Sequence, residues 1–167
     1  MTEFLIKTDI DEIITRLRPH ATDLEGRTIL VTGGRGFLGR YFTEVFAALN
    51  ASVLETPARV ILLDNMITAG SAGSTEVTHP GIEFIQHNVI EPFDWETDLD
   101  YVIHAAGIAS PYYYRAYPME TLEVAITGTR NMLELAQRHG SRFTFFLPVK
   151  STEIQTRKMF PCRRAIA

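Results

Sequence analysis

The chain has 167 residues, 46% of them hydrophobic and 22% charged, and a formal net charge of −4. That length and composition suit one ordinary globular domain with a buried core, or part of a larger one. The acidic balance excludes an electrostatic nucleic-acid binder, no apolar run reaches the roughly 18 residues of a membrane-spanning helix, and a lone Cys162 leaves no internal disulfide framework or cysteine-based zinc site.

In chain order, Leu5, Ile6, Ile10, Ile13, Ile14 and Leu17 recur at three- and four-residue spacing. They predict an amphipathic packing helix with Pro19 as its stop. Glu3, Asp9, Asp11 and Glu12 among these residues are incompatible with a secretory signal peptide. A cytoplasmic protein is expected.

From Gly26 the pattern changes. Residues 28–32 form a short β-branched run, followed at once by glycines, and residues 37–50 read as a helix. Residues 59–64 make a second strand ending on Asp64, and the Gly/Ser/Thr-rich stretch 66–78 reads as loop. Strands are also predicted at 82–87, 99–105 and 142–146, with a helix over 121–140 closed by Gly140. Apolar strands alternating with helices predict an α/β, doubly wound parallel sheet. The expected division is an accessory helix over 1–25, a sheet domain over 26–146 and a tail over 147–167.

The strongest local signal is Val31-Thr32-Gly33-Gly34-Arg35-Gly36-Phe37-Leu38-Gly39. Gly33, Gly36 and Gly39 are spaced G-x-x-G-x-x-G between a predicted strand and a predicted helix. Glycine there permits a tight turn, close approach of a pyrophosphate and close helix–strand packing. The start of the following helix favours the phosphates through its free N–H groups and dipole. Asp64 ends the second strand 25 residues after Gly39. A carboxylate there accepts hydrogen bonds from an adenosine ribose and repels a 2′-phosphate, so NAD is expected rather than NADP. The alternative for Asp64 is a strand-end turn residue. No Lys-Ser or Lys-Thr pair follows the glycines, which excludes a Walker phosphate loop.

With these residues in place, the chain resembles the extended short-chain dehydrogenase/reductase family of NAD-dependent nucleotide-sugar epimerases, dehydratases and decarboxylases. The glycine loop carries the resemblance, with Leu63-Asp64-Asn65 followed by Thr68 and Gly70, His87-Asn88-Val89-Ile90-Glu91-Pro92, His104-Ala105-Ala106-Gly107 and Gly128-Thr129-Arg130-Asn131. Within the family, the Asp-Asn-x-x-Thr loop and Ala109-Ser110-Pro111 with Tyr112-Tyr113-Tyr114 are similar to UDP-glucuronate decarboxylases. The implied fold is Rossmann-type, the cofactor-binding part only.

The resemblance also implies roles. Gly36, Phe37 and Leu38 would cover the pyrophosphate, Asp64 and Asn65 would bind the ribose, and Asn88 and Val89 would flank the adenine. Ala105, Ala106 and Gly107 would line the nicotinamide side, strand–helix packing being the alternative. Asn131 would contact the nucleotide-sugar, or else be a helix-surface amide. A homodimer formed through helices of this half is a family habit. Asn88 stands where the family usually has aspartate, a mild departure because an amide can still hydrogen-bond the adenine amino group. Two further positions depart from the pattern. Ala125 stands where asparagine is common, and Glu123 where decarboxylases tend to have lysine, so that a carboxylate would repel an anionic sugar. The tyrosine run is expected in a substrate-side loop or partial core. His20, His79, His87, His104 and His139 show no metal-ligand spacing and are read as structural.

The family's chemistry needs a tyrosine four residues before a lysine. The lysines here are Lys7, Lys150 and Lys158, preceded at that distance by Glu3, Phe146 and Ile154. The pair is therefore absent, no catalytic residue is assigned, and the chain by itself is expected to be inactive. A non-catalytic NAD-binding module or interaction protein is the alternative function. The family text also stops at Phe146. Codons shifted to begin on the third base of each present codon can encode Ser-Ser-Ser-Glu-Ile-Tyr-Gly from there, the motif the family carries at this place. A reading-frame disruption is thus expected near codon 146, with 147–167 as an out-of-register tail.

Overall fold

The computed structural model describes residues 7–68 and 79–146. The expected tail over 147–167, its frame disruption and Gly70 lie outside those residues. Helix α1 (Lys7–Leu17) runs into a 3-10 turn (Arg18–Leu24) that contains Pro19. Strand β1 (Thr28–Thr32), helix α2 (Phe37–Ser52), β2 (Arg59–Asp64), β3 (Ile82–Gln86) and β4 (Tyr101–His104) follow. Then come α3 (Pro111–Ala116), α4 (Pro118–Glu123), a π-helical turn (Val124–Gly128), α5 (Thr129–His139) and β5 (Arg142–Phe145).

The five strands are all parallel, in the order β3-β2-β1-β4-β5. Strand β1 is central, with Leu30 paired to Ile61 on one side and Val102 on the other. Alternate residues of the same strands feed two cores. Ile29, Val31, Val60 and Leu62 pack with Val45, Phe46 and Leu49 of α2. Leu30, Ile61, Leu63 and Val102 pack with Met132, Leu135 and Ala136 of α5. Burial on both faces is why β1 and β2 read as continuous apolar runs, without polar alternation.

Helix α1 packs against α2. It buries no residue fully, but Ile10, Ile13, Ile14 and Leu17 rest against the α2 side of the core. The Tyr41 hydroxyl of α2 donates to Asp9 at 3.1 Å and fixes the contact.

Two features differ from the sequence reading, and a third goes beyond it. The helix predicted over 121–140 begins earlier, at Pro118, and carries the π turn. Tyr112–Tyr114 lie in the short helix α3 rather than a loop, with Tyr112 largely exposed. The connection from β3 to β4 contains no helix. It covers its face of the sheet with Phe93 stacked on Trp95, and the Arg59 guanidinium lies 4.9 Å from the centre of the Trp95 ring. Arg138 of α5 binds Asp94 from the other side at 2.7 Å. At the end of α5, Gly140 takes a left-handed φ of 65° and Ser141 N–H donates back to Ala136, so glycine closes the helix as predicted.

Candidate cofactor site

The glycine loop is built by what surrounds it. Gly33 has a φ of +72°, and a Cβ there would lie 2.8 Å from the Ala105 carbonyl oxygen. Both backbone shape and the neighbouring strand end demand glycine. Gly39 is buried in the first turn of α2, where a Cβ would fall 2.6 Å from Gly34 Cα. That absent side chain lets the helix start sit directly on the loop. Gly34 N–H donates to Leu63 and Gly36 N–H to Gly33, which tie the loop to β2 and to itself. Gly36 caps α2 without a side-chain oxygen. The first N–H groups of the helix therefore stay available to an anion.

Asp64 stands beside the loop at the end of β2. One carboxylate oxygen accepts the Arg35 N–H at 2.9 Å and the other the Met66 N–H at 2.8 Å. A carboxylate has further lone pairs and can still accept two hydroxyls. Asn65 accepts the Ile67 N–H at 3.1 Å and donates to Asn88 at 3.4 Å. Asn88 closes a turn, its carbonyl accepting the Glu91 N–H at 2.9 Å. The opposite wall is the end of β4. Thr32 Oγ1 accepts the Ala106 N–H at 3.1 Å and lies 2.7 Å from His104 Nδ1. His104 is fully buried, its Nε2 has no partner among the described residues, and burial pushes its pKa down to about 4. It is a neutral structural imidazole, stacked on Phe145.

These elements enclose a cavity of about 470 Å³. The structure brings Gly33, Gly36, Phe37, Leu38, Asp64, Asn65, Val89, Ala105, Ala106 and Gly107 together on its walls, all named from sequence. Gly39 and Asn88 do not line it: Gly39 packs against Gly34, and Asn88 accepts from the Asn65 amide. Asn131 is not on the wall, and its amide donates to the Val89 carbonyl at 2.9 Å. Sequence reasoning missed Ile67, Ile108, Val124 and Phe146 as lining residues. Each is an apolar residue that any core could hold, so no local signal marks it. Arg35, a residue of the glycine loop, is not among the lining residues; its guanidinium lies 4.6 Å from the centre of the Phe84 ring and feels the Asp64 charge.

The residues present fit a dinucleotide. The glycine loop leaves room that a Cβ would fill, Asp64 offers an acceptor for ribose, Val89 an apolar surface, and Ala105 to Gly107 a low wall. Fold and site together define a dinucleotide-binding α/β domain. A model of the NAD dependent epimerase/dehydratase family matches residues 29–153, and the chain belongs to that family. The match starts three residues after Gly26 and runs past Phe146.

The chain is 36% identical over 120 residues to UDP-glucuronic acid decarboxylase 2 of Arabidopsis thaliana, covering 71% of this chain and 25% of that protein. It is 33% identical over 159 residues to UDP-glucuronic acid decarboxylase 1 of Danio rerio, covering 84% and 36%. Among solved structures, an epimerase of Methanothermobacter thermautotrophicus superposes with a TM-score of 0.57 at 26% identity, over 79% of this chain and 38% of the other. The chain thus spans between a quarter and two-fifths of these relatives.

Proposed function

We propose that this chain is the NAD-binding portion of a nucleotide-sugar epimerase, dehydratase or decarboxylase. The observation that carries the reading is the convergence on one cavity of the glycine loop, the Asp64 carboxylate and the Ala105–Ala106–Gly107 wall. In this reading the start of α2 holds the pyrophosphate on its N–H groups. Asp64 and Asn65 hold the adenosine ribose, Val89 covers the adenine, and the alanine wall lets the nicotinamide lie against β4. Bound NAD⁺ would accept hydride from a sugar carbon, C4 in the chemistry that the resemblance implies. The sugar nucleotide would enter on the side of Val124, Ile108 and Phe146. Glu123, exposed next to Val124, disfavours an anionic sugar there. Met119, Leu122, Ile126 and Leu133 form an exposed apolar stripe along α4, the π turn and α5, which suits the contact of a homodimer.

The absence of a Tyr-x-x-x-Lys pair favours a second reading of this sequence taken alone, a non-catalytic NAD-binding module. Calorimetry with NAD⁺ and NADP⁺ tests the binding claim. NAD⁺ is expected to bind and to raise the melting temperature, and NADP⁺ to bind at least about tenfold more weakly because Asp64 repels its 2′-phosphate. Asp64→Asn should weaken NAD⁺ by about tenfold and narrow that gap. Neither heat nor stabilisation with NAD⁺ would remove the cofactor reading. Incubated with UDP-glucuronate and NAD⁺, the chain should release no CO2 and form no new sugar nucleotide, and turnover by either measure would overturn the non-catalytic assignment.

A further inference from the structure

Asn131 lies 42 residues from Val89 in the chain, yet its Nδ2 donates to the Val89 carbonyl at 2.9 Å. One turn earlier, Gly128 is buried against the same residue. A Cβ on Gly128 would fall 2.8 Å from Val89 Cγ2. The helix therefore grips Val89 twice, by its carbonyl and by its side chain. Val89 is buried, lines the cavity and sits in the turn that follows β3.

The remainder of that turn is held mostly from within. Glu91 N–H donates to the Asn88 carbonyl at 2.9 Å, and Ile90 N–H faces Asn88 Oδ1 at 3.4 Å. From outside, the Asn65 amide reaches Asn88 only at 3.4 Å. Among the described residues, Asn131 supplies the shorter side-chain tie between this turn and the rest of the domain. The π-helical turn sets the register that makes this work. With it, Val124 reaches the cavity, Gly128 the Val89 side chain and Asn131 the Val89 carbonyl, all from one helix face. Such bulges recur where a helix must aim residues at a site.

We infer that Asn131 is a positioning residue for the adenine side of the cavity, fixing the Val89 turn from α5 rather than contacting a sugar. The inference rests on the dinucleotide reading of the cavity. The probe is Asn131→Asp, nearly the same shape but unable to donate to a carbonyl. Two measurements are made on the whole chain. Without ligand, amide exchange of Ile90 and Glu91 should quicken by about tenfold, while Leu30 and Ile61 in the central strands keep their protection. With ligand, NAD⁺ and AMP should both bind about tenfold more weakly, by the same factor, because the loss lies on the adenine side. Asn131→Gln, which keeps an amide donor, should recover part of both effects.

Unchanged exchange at Ile90 and Glu91 in Asn131→Asp would overturn the proposal. So would quickened exchange throughout the sheet, since that marks a general loss of stability. Failure of the unsubstituted chain to bind NAD⁺ or AMP would overturn the cofactor reading instead. The exchange comparison would still decide the role of Asn131 on its own.

Discussion

His104 shows how much one buried side chain can set. It lies between β1 and β5, bound to Thr32 and stacked on Phe145, and burial holds its pKa near 4 against an ordinary 6.5. The folded protein thus favours the neutral ring, and the unfolded chain takes up the proton first. Its contribution is fully present above pH 6.5 and is lost as pH falls towards 4. Between about pH 7 and about pH 5 the domain should lose about 2 kcal/mol from this residue. Urea unfolding at the two values measures it, and His104→Phe should flatten most of that difference. At this scale residue type made much of the site legible. Gly33 and Asp64 have few other reasons to stand where they do. The partner of Asn131 was not legible, because it depends on a contact across 42 residues that no local pattern encodes.

Between strands and helices, the close seat of α2 on the glycine loop decides the geometry. Gly39→Ala would drive a methyl into Gly34, and rigid backbone on both sides leaves no easy relief. The substitution should cost at least about 2 kcal/mol in urea unfolding, as overpacking does. Gly140→Ala is the matched control: its Cβ meets open space, so the left-handed φ of 65° alone is penalised, by about 1 kcal/mol. Equal costs at the two sites would contradict the packing account. The sheet strands were legible because their apolar runs are bounded by glycine and acid. The π turn was not, since one added residue barely disturbs a helical period over a single turn. The aromatic crossover from β3 to β4 was missed as a structural element for a different reason: Phe93 and Trp95 cover the sheet without any periodicity.

The whole molecule places its best-buried strand, β1, at the centre and its least-buried strand, β5, at one edge. Among the described residues no strand pairs with the outer side of β5, while Phe145 and Phe146 are each 39% exposed. An open parallel edge beside exposed aromatics is a template for association. Light scattering should rise with protein concentration, and Thr144→Lys, a charge on that edge, should suppress the rise. An equal rise in the substituted chain would show that the edge is not responsible. The β3–β4 crossover has a use of its own. Trp95 is the chain's single tryptophan, held between Phe93 and Arg59 and a few residues beyond the Val89 turn. All indole emission therefore originates in this crossover, at the end of the sheet where Arg59 opens β2. Fluorescence follows the loosening of this one connection, while circular dichroism follows the sheet, so the protein carries an optical gauge that can tell local opening from global melting.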